Sequence, residues 1–169
     1  MSELGERINE LAQLMFDSKY LVVFTGAGIS TESGLRDFRG PDGLWTRRDK
    51  GLSTPRQDFT GAEPNAGHVA IDELQNLGKL AFLISQNVDN LHLKSGIPLE
   101  LVAELHGNVA LMKCLDCDKR FTKEELEWEE SRWGKGYRSE TPAGDQPKCE
   151  CGGRIISSIV NFGDPMPER

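Results

Sequence analysis

Four cysteines stand in two close pairs, Cys114-x-x-Cys117 in "KCLDCDKRF" and Cys149-x-Cys151 in "KCECGGR". Four thiolates are the usual complement of a closed tetrahedral zinc centre, and turn-forming neighbours let each pair aim at one ion. The second pair is one residue tighter than the common C-x-x-C, so four separate buried thiols or a redox pair remain as alternatives. Four thiolates already fill a closed tetrahedral shell, so the expected zinc is structural and not catalytic. A second chemistry is suggested by "LVVFTGAGIS", residues 21–30, where an apolar run breaks into Gly26-Ala27-Gly28. Glycines there remove the Cβ atoms that would keep a phosphate off the backbone, and a helix starting after Ser30 would point free N–H groups at that anion. The third small residue of the dinucleotide fingerprint is missing, because Thr31 stands in its place. On the turn alone, a phosphate cradle and an ordinary strand-to-loop turn both stay open. Read by themselves, His106 in "ELHGN", His68 and His92 are each favoured as satisfied turn or core histidines.

The elements that must position these groups can be read from periodicity. Leu4, Ile8, Leu11 and Met15 recur at helical spacing and predict an amphipathic helix over 3–17. A buried strand follows at 20–25. Residues 31–62 are rich in Gly, Pro, Asp and Arg and read as a long functional loop with short helical pieces. The apolar pattern after Pro64 predicts a helix stopped at Gly78, and "KLAFLIS" a second buried strand. Asn87 to Ser95 reads as a short helix closed by Gly96, with Asp89 as one candidate cap, and Leu99 to Leu105 as a third strand. Strand, helix, strand, helix, strand predicts an α/β fold with a parallel Rossmann-like sheet. Ligands in such folds sit beyond the carboxyl ends of the strands, where "TGAGIS", "SQNVDNLH" and "LHGN" fall. Residues 114–151 break the alternation and read as a small zinc-binding insertion. Trp45 reads as a core anchor, and Arg36, Arg39, Arg47 and Arg48 as solvated loop charges.

At 169 residues, 37% hydrophobic and 28% charged, the chain fits one soluble domain with room for a core. A net charge of -7 with no basic run shows no nucleic-acid footprint. The first helix carries acids and lacks a continuous apolar core, so it is not read as a signal peptide, and no stretch reaches transmembrane length. Cysteines paired for metal point to a reducing, cytoplasmic-type compartment.

Taken together, "TGAGISTESGLRDFRGPDGLW", "SQNVDNLH", "LHGN", the cysteine pairs and "IVNFGDPMP" resemble, in order and wording, the sirtuins, which are NAD-dependent protein deacylases. The resemblance runs from about residue 18 to residue 169. "GPDGLWT" and "LISQNVDNLHLKSG" look closest to the class IV branch, and "NFGDPMP" to microbial members. It implies an NAD phosphate and ribose turn at Gly26, Ala27, Gly28 and Ser30. Asp37, Phe38 and Arg39 match the mobile cofactor loop, whose aromatic ring screens the reactive ribose carbon from water. Gln86, Asn87 and Asp89 match the nicotinamide and ribose pocket, with Asn87 and Asp89 counted among the catalytic residues beside His106, the general base. The strand at 159–163 matches the one that pairs with an extended acyl-lysine peptide, and Val160, Phe162 and Gly163 would border the acyl-lysine tunnel. Cys114, Cys117, Cys149 and Cys151 match the family's zinc ligands. The implied reaction releases nicotinamide and transfers the acyl group from lysine to ADP-ribose.

The domain organisation expected on this basis is a Rossmann-like NAD-binding portion at 1–113 containing the cofactor loop 31–62. A zinc-binding module at 114–154, and at 155–169 a return strand into the Rossmann-like domain with the substrate-binding FGD segment, complete it. Arg36 replaces a proline common in the family, and no Tyr-x-x-Arg pair follows Trp45, which favours neutral acyl groups. Sirtuin cores continue for roughly 100 residues or more beyond this segment, so the chain reads as truncated at its C-terminus. An incomplete sheet is expected to self-associate, recruit a covering partner or dissolve poorly. A catalytically silent zinc-stabilised binding module, and an NAD hydrolase or ADP-ribosyltransferase, are the alternative functions.

Overall fold

The computed structural model describes residues 2–161 and 163–164, and the chain forms two units: Met1–Ser85 with Leu91–Ala103, and Gln86–Asn90 with Glu104–Arg169. In the first, β1 (Leu21–Thr25), β2 (Leu80–Ser85) and β3 (Val102–Glu104) form a three-stranded sheet in the order β1-β2-β3. β1 and β2 run parallel in a register that sets Thr25 opposite Ser85 at their carboxyl ends. This is the parallel Rossmann-like α/β sheet expected from the alternation of apolar runs and helices.

The helices follow their local signals. α1 (Glu3–Asp17) begins where the Ser2 hydroxyl accepts the Gly5 N–H and carries Glu3 and Glu6 in its first turn, where acids suit the helix dipole. α2 (Leu44–Asp49) lies in the long loop, as a short helical piece. α3 (Ala66–Asn76) is closed by Gly78 at φ +67°, and α4 (Leu91–Lys94) precedes Gly96 at φ +117°. Ile71 of α3, Leu80 and Leu83 of β2, Ile97 of the loop after α4, and Val102 of β3 form the buried core. A smaller cluster of Leu35, Ala62 and Leu91, with Phe59 packed against it, pins both ends of the 31–62 loop.

The apolar stripe of α1 is largely exposed: Leu4, Ile8 and Leu11 are 65, 57 and 58% exposed, and Met15 is half-buried. Val22 and Phe24 of β1, which lies at the edge of the sheet, are exposed as well.

The second unit is built on an antiparallel sheet in the order β5-β4-β6, from β4 (Leu111–Cys114), β5 (Arg120–Thr122) and β6 (Ile155–Ser157). Met112, Cys114, Trp128, Cys149 and Ile155 are its buried core, and α5 (Glu130–Trp133) contributes Trp133 against it. Among the described residues no helix is long and apolar enough to cross a membrane.

Three expectations need correction. The helix expected over 87–95 forms only at Leu91–Lys94, because Asn90 adopts φ +67° and the Val88 carbonyl accepts the distant Val109 N–H. The return strand expected to enter the parallel sheet is β6, which pairs with β4 in the second sheet, and residues 159–161 beyond it are irregular. The unit boundary falls at 103/104, so residues 104–113 belong with the cysteine-bearing unit. A boundary at 113/114 would cut through β4 (Leu111–Cys114), the central strand on which both neighbours pair.

Candidate functional site

The glycine turn after β1 is a 3₁₀ helix, Ala27–Ser33, beginning earlier than the helix expected after Ser30. The tight winding is held by the Ile29 N–H on the Gly26 carbonyl and the Thr31 hydroxyl on the Gly28 carbonyl. Thr31, which spoils the dinucleotide fingerprint, thus closes this turn from within. A Cβ built on Gly28 meets nothing within 4 Å, so the turn presents bare backbone to open space, as a phosphate cradle requires.

Asn65, which sequence reasoning missed, anchors the turn from the side. Its carboxamide Nδ2 donates to the Ile29 carbonyl at 2.7 Å and to Ser33 Oγ at 3.0 Å. Its Oδ1 caps α3, and His68 Nδ1 accepts the Asn65 N–H to complete a capping box. The residue's place just before a helical run marks the cap, but not the second task. His68 is structural, as expected. His92 is also built into the fold, its Nε2 lying 2.8 Å from Thr25 Oγ1, which donates to Ser85 Oγ.

In the loop, Asp37 accepts the Gly40 N–H and its carbonyl accepts that of Leu44, while the Phe38 carbonyl takes the Trp45 N–H. Phe38 remains 39% exposed, with its ring 5.0 Å from that of Trp45. The Arg39 guanidinium lies 4.9 Å from the centre of the Trp45 ring. Trp45 is therefore a half-buried stacking platform and not the core anchor expected. Asp37, Phe38 and Arg39 are positioned by one compact turn that ends at the start of α2.

The second unit gathers the other candidates. Asn87 and Asp89 are buried on the segment after β2, and Gln86 is exposed. The Gln86 carbonyl lies 2.9 Å from His106 Nδ1. A carbonyl can only accept, so Nδ1 carries the proton in the neutral ring and Nε2 keeps its lone pair, which is the form a base needs. The His106 carbonyl in turn accepts the Val160 N–H at 3.0 Å, setting Val160 beside His106. Gly163 is exposed at φ +92°, and Phe162 lies outside the described residues.

Glu104 sits beneath this turn with its side chain only 5% exposed and Arg120 at 3.7 Å. Burial dominates its electrostatics and lifts its carboxyl above the ordinary range, and nearby Asp89 adds to the effect. The hydrogen bond from Asn108 and the charge of Arg120 offset only part of it. A raised carboxyl pKa means that the folded protein holds this proton more tightly than the unfolded chain. Its contribution to stability is present at low pH and lost as pH rises from the ordinary carboxylate range through the raised value. Glu104→Gln is expected to flatten that decline, as read from urea unfolding across a pH series.

The four cysteines converge, all Sγ atoms lying within 4.8 Å of one another, with Cys114–Cys151 at 3.5 Å and Cys117–Cys149 at 3.6 Å. Tetrahedral sulfurs about 2.3 Å from zinc stand about 3.8 Å apart, so the spacing fits that ion. The C-x-C pair works because Cys149 and Gly153 exchange a backbone bond across a turn with Gly152 at φ +87°. A Cβ on Gly153 would meet Cys114 Sγ at 2.5 Å. Burial opposes ionisation of Cys114, yet the Asp116 and Cys117 N–H groups and the neighbouring thiols outweigh it and bring the thiol down to about 7. The Gly153 N–H favours the Cys151 thiolate, but its three crowding neighbours prevail and push it up to about 12. One divalent cation lets all four ionise together.

The Sir2 family model matches residues 26–61 and 53–169. The NAD-dependent protein deacetylase SRT1 of Oryza sativa subsp. indica is 44% identical over 167 residues, 97% of this chain and 33% of that protein. An NAD-dependent protein deacetylase of Thermodesulfovibrio yellowstonii is 39% identical over 183 residues, covering 97% of this chain and 67% of its own length. The chain thus spans about a third of the plant relative. A solved structure of Sir2 with a p53 peptide and NAD+ superposes with a TM-score of 0.62 at 32% identity, covering 95% of this chain and 67% of that one.

Proposed function

The chain belongs to the Sir2 family, and from that premise we propose that it carries the catalytic base and cofactor-binding segments of an NAD-dependent protein-lysine deacylase. The observation that supports this best is His106, whose Nδ1 is engaged by the Gln86 carbonyl and whose own carbonyl holds Val160. The imidazole is thereby oriented with a basic Nε2, beside the segment that would receive an acyl-lysine peptide. When bound, NAD supplies a ribose carbon made electrophilic by its nicotinamide leaving group. The glycine turn Gly26–Ser30 would hold its phosphates, Asp37, Phe38 and Arg39 would cover it, and Gln86, Asn87 and Asp89 would receive the nicotinamide end. Phe38, half exposed on its tight turn, is suited to exclude water from that carbon. His106 Nε2 takes the ribose hydroxyl proton that must leave as the acyl group transfers to ADP-ribose. The thiolate cluster would hold zinc as a structural ion.

Nicotinamide release from NAD by the 169-residue protein, with and without an acetyl-lysine peptide, tests this reading. Release that requires the peptide and falls about 10²–10⁴-fold in His106→Ala is expected. Release independent of the peptide would replace the reading with NAD hydrolysis or ADP-ribosyl transfer. The exposed stripe of α1 and the exposed edge of β1 favour a second reading, a zinc-stabilised binding module that associates with itself or a covering partner. Peptide binding with no release, from a protein whose light-scattering mass exceeds the monomer's, would select it.

A further inference from the structure

Asn108 is completely buried two residues after His106, and each of its polar groups is used within the second unit. Its Nδ2 donates to Glu104 Oε1 at 2.5 Å and to Asn90 Oδ1 at 2.8 Å. Its Oδ1 accepts the Ala110 N–H at 2.9 Å, and its backbone exchanges two bonds with the Ser158 hydroxyl. One residue therefore ties together the segment that carries Gln86 and the turn that carries His106 through its side chain, and the stretch that leads to Val160 through its backbone. Asn90, at φ +67°, is the residue through which the first of these is held.

We propose that Asn108, oriented by Glu104 and clamped to Asn90, is the positioning residue that keeps the His106 ring on the Gln86 carbonyl and so fixes which ring nitrogen is basic. This rests on the reading of His106 as the base. The logic is one of geometry. The His106 Nδ1–H bond needs residues 86 and 106 at a set separation. The Val88 carbonyl to Val109 N–H bond and the Asn90–Asn108 bond are two cross-links that set it. Asn108 Nδ2 has two protons, and with one on Asn90 the other must find an acceptor in a buried place. Glu104 Oε1 is that acceptor, so a carboxylate at 104 selects the amide rotamer that faces Asn90. An asparagine that served only to fill space would need neither.

The test is the tautomer of His106, read from ¹⁵N shifts of its ring nitrogens in the free 169-residue protein, without NAD or peptide. In the unsubstituted protein Nδ1 should carry the proton. Asn90→Gly is the decisive variant, since glycine accepts the positive φ and only the Oδ1 link is lost. The ratio of the Nδ1–H to the Nε2–H form should fall severalfold in Asn90→Gly and in Glu104→Leu. Glu104→Gln, which keeps an acceptor for Asn108, should restore it. An unchanged ratio in Asn90→Gly, with native far-UV circular dichroism, overturns the proposal whatever Glu104→Leu does. An equal fall in Glu104→Gln and Glu104→Leu overturns the part assigned to Glu104. Because no turnover is measured, a protein that releases no nicotinamide can still return the expected ratios, so the two readings fail separately.

Discussion

Removing metal from the cysteine centre with a strong chelator, or replacing Cys149 by Ser, is expected to melt the β5-β4-β6 sheet. The strands there have 3, 4 and 3 residues, too few to stand on their ladder bonds alone. Cys114 and Cys149 are themselves members of the buried cluster with Met112, Trp128 and Ile155, so the ligands and the core are the same residues. Structural zinc in small peptides supplies about 10–16 kcal/mol of folding free energy, more than a whole domain usually has to spare. Loss of a metal held there is therefore expected to unfold this unit and not merely to perturb it. Elemental analysis should find one zinc per chain. Chelation should collapse the amide shifts of β4 and β6, while those of β1 and β2, whose core of Ile71, Leu83 and Ile97 contains no ligand, persist. Full retention of the β4 and β6 shifts after chelation, with all four thiols free to react, would show that the cysteines are ordinary core residues.

The second large effect is expected from a single methyl group. Gly107 has φ +80°, and a Cβ there would lie 2.0 Å from the Ser158 carbonyl oxygen, 2.5 Å from its carbon and 2.8 Å from Ile159 Cα. All three are backbone atoms, so no side chain can swing aside. Gly107→Ala must push the 158–160 stretch away and break the Val160–His106 bond and the Ser158–Asn108 pair. Left-handed strain costs about 1–3 kcal/mol and each lost bond about 1, so a loss of about 4 kcal/mol or more is expected. Gly78→Ala is the control, because Gly78 has φ +67° with nothing within 4 Å of the added carbon. It should cost the backbone strain alone. Urea midpoints of the two variants separate strain from collision, and equal losses would falsify the close approach of Ser158 to Gly107. Gly107→Ala should also weaken nicotinamide release, since it dislodges the segment held beside His106.

What the sequence by itself determined is local. Leu4, Ile8, Leu11 and Met15 place α1, whose start Ser2 caps, because a helix cap and a helical stripe are decided within one or two turns of chain. The cysteine spacing is likewise local: each pair sits on its own turn, and only their meeting needs the fold. The glycine turn, the strand ends and the polar runs after them were legible for the same reason, as apolar segments broken by residues that suit turns.

Tertiary structure decided where distant pieces meet. The helical propensity of 87–90 lost to a bond between Val88 and Val109. β6 joined β4 because Ile155 and Ile156 are buried in the second unit's sheet, although the three-residue strand carries no alternation to say so. Asn65 reads as a helix cap, and nothing near it in sequence announces that it holds Ile29. Asn108 reads as part of a turn, and Gly107 as a flexible residue, until Ser158 arrives against both. A hydrogen bond across 50 residues leaves no spacing to detect. It exists only because packing brings the two segments together and a buried polar group must then find a partner.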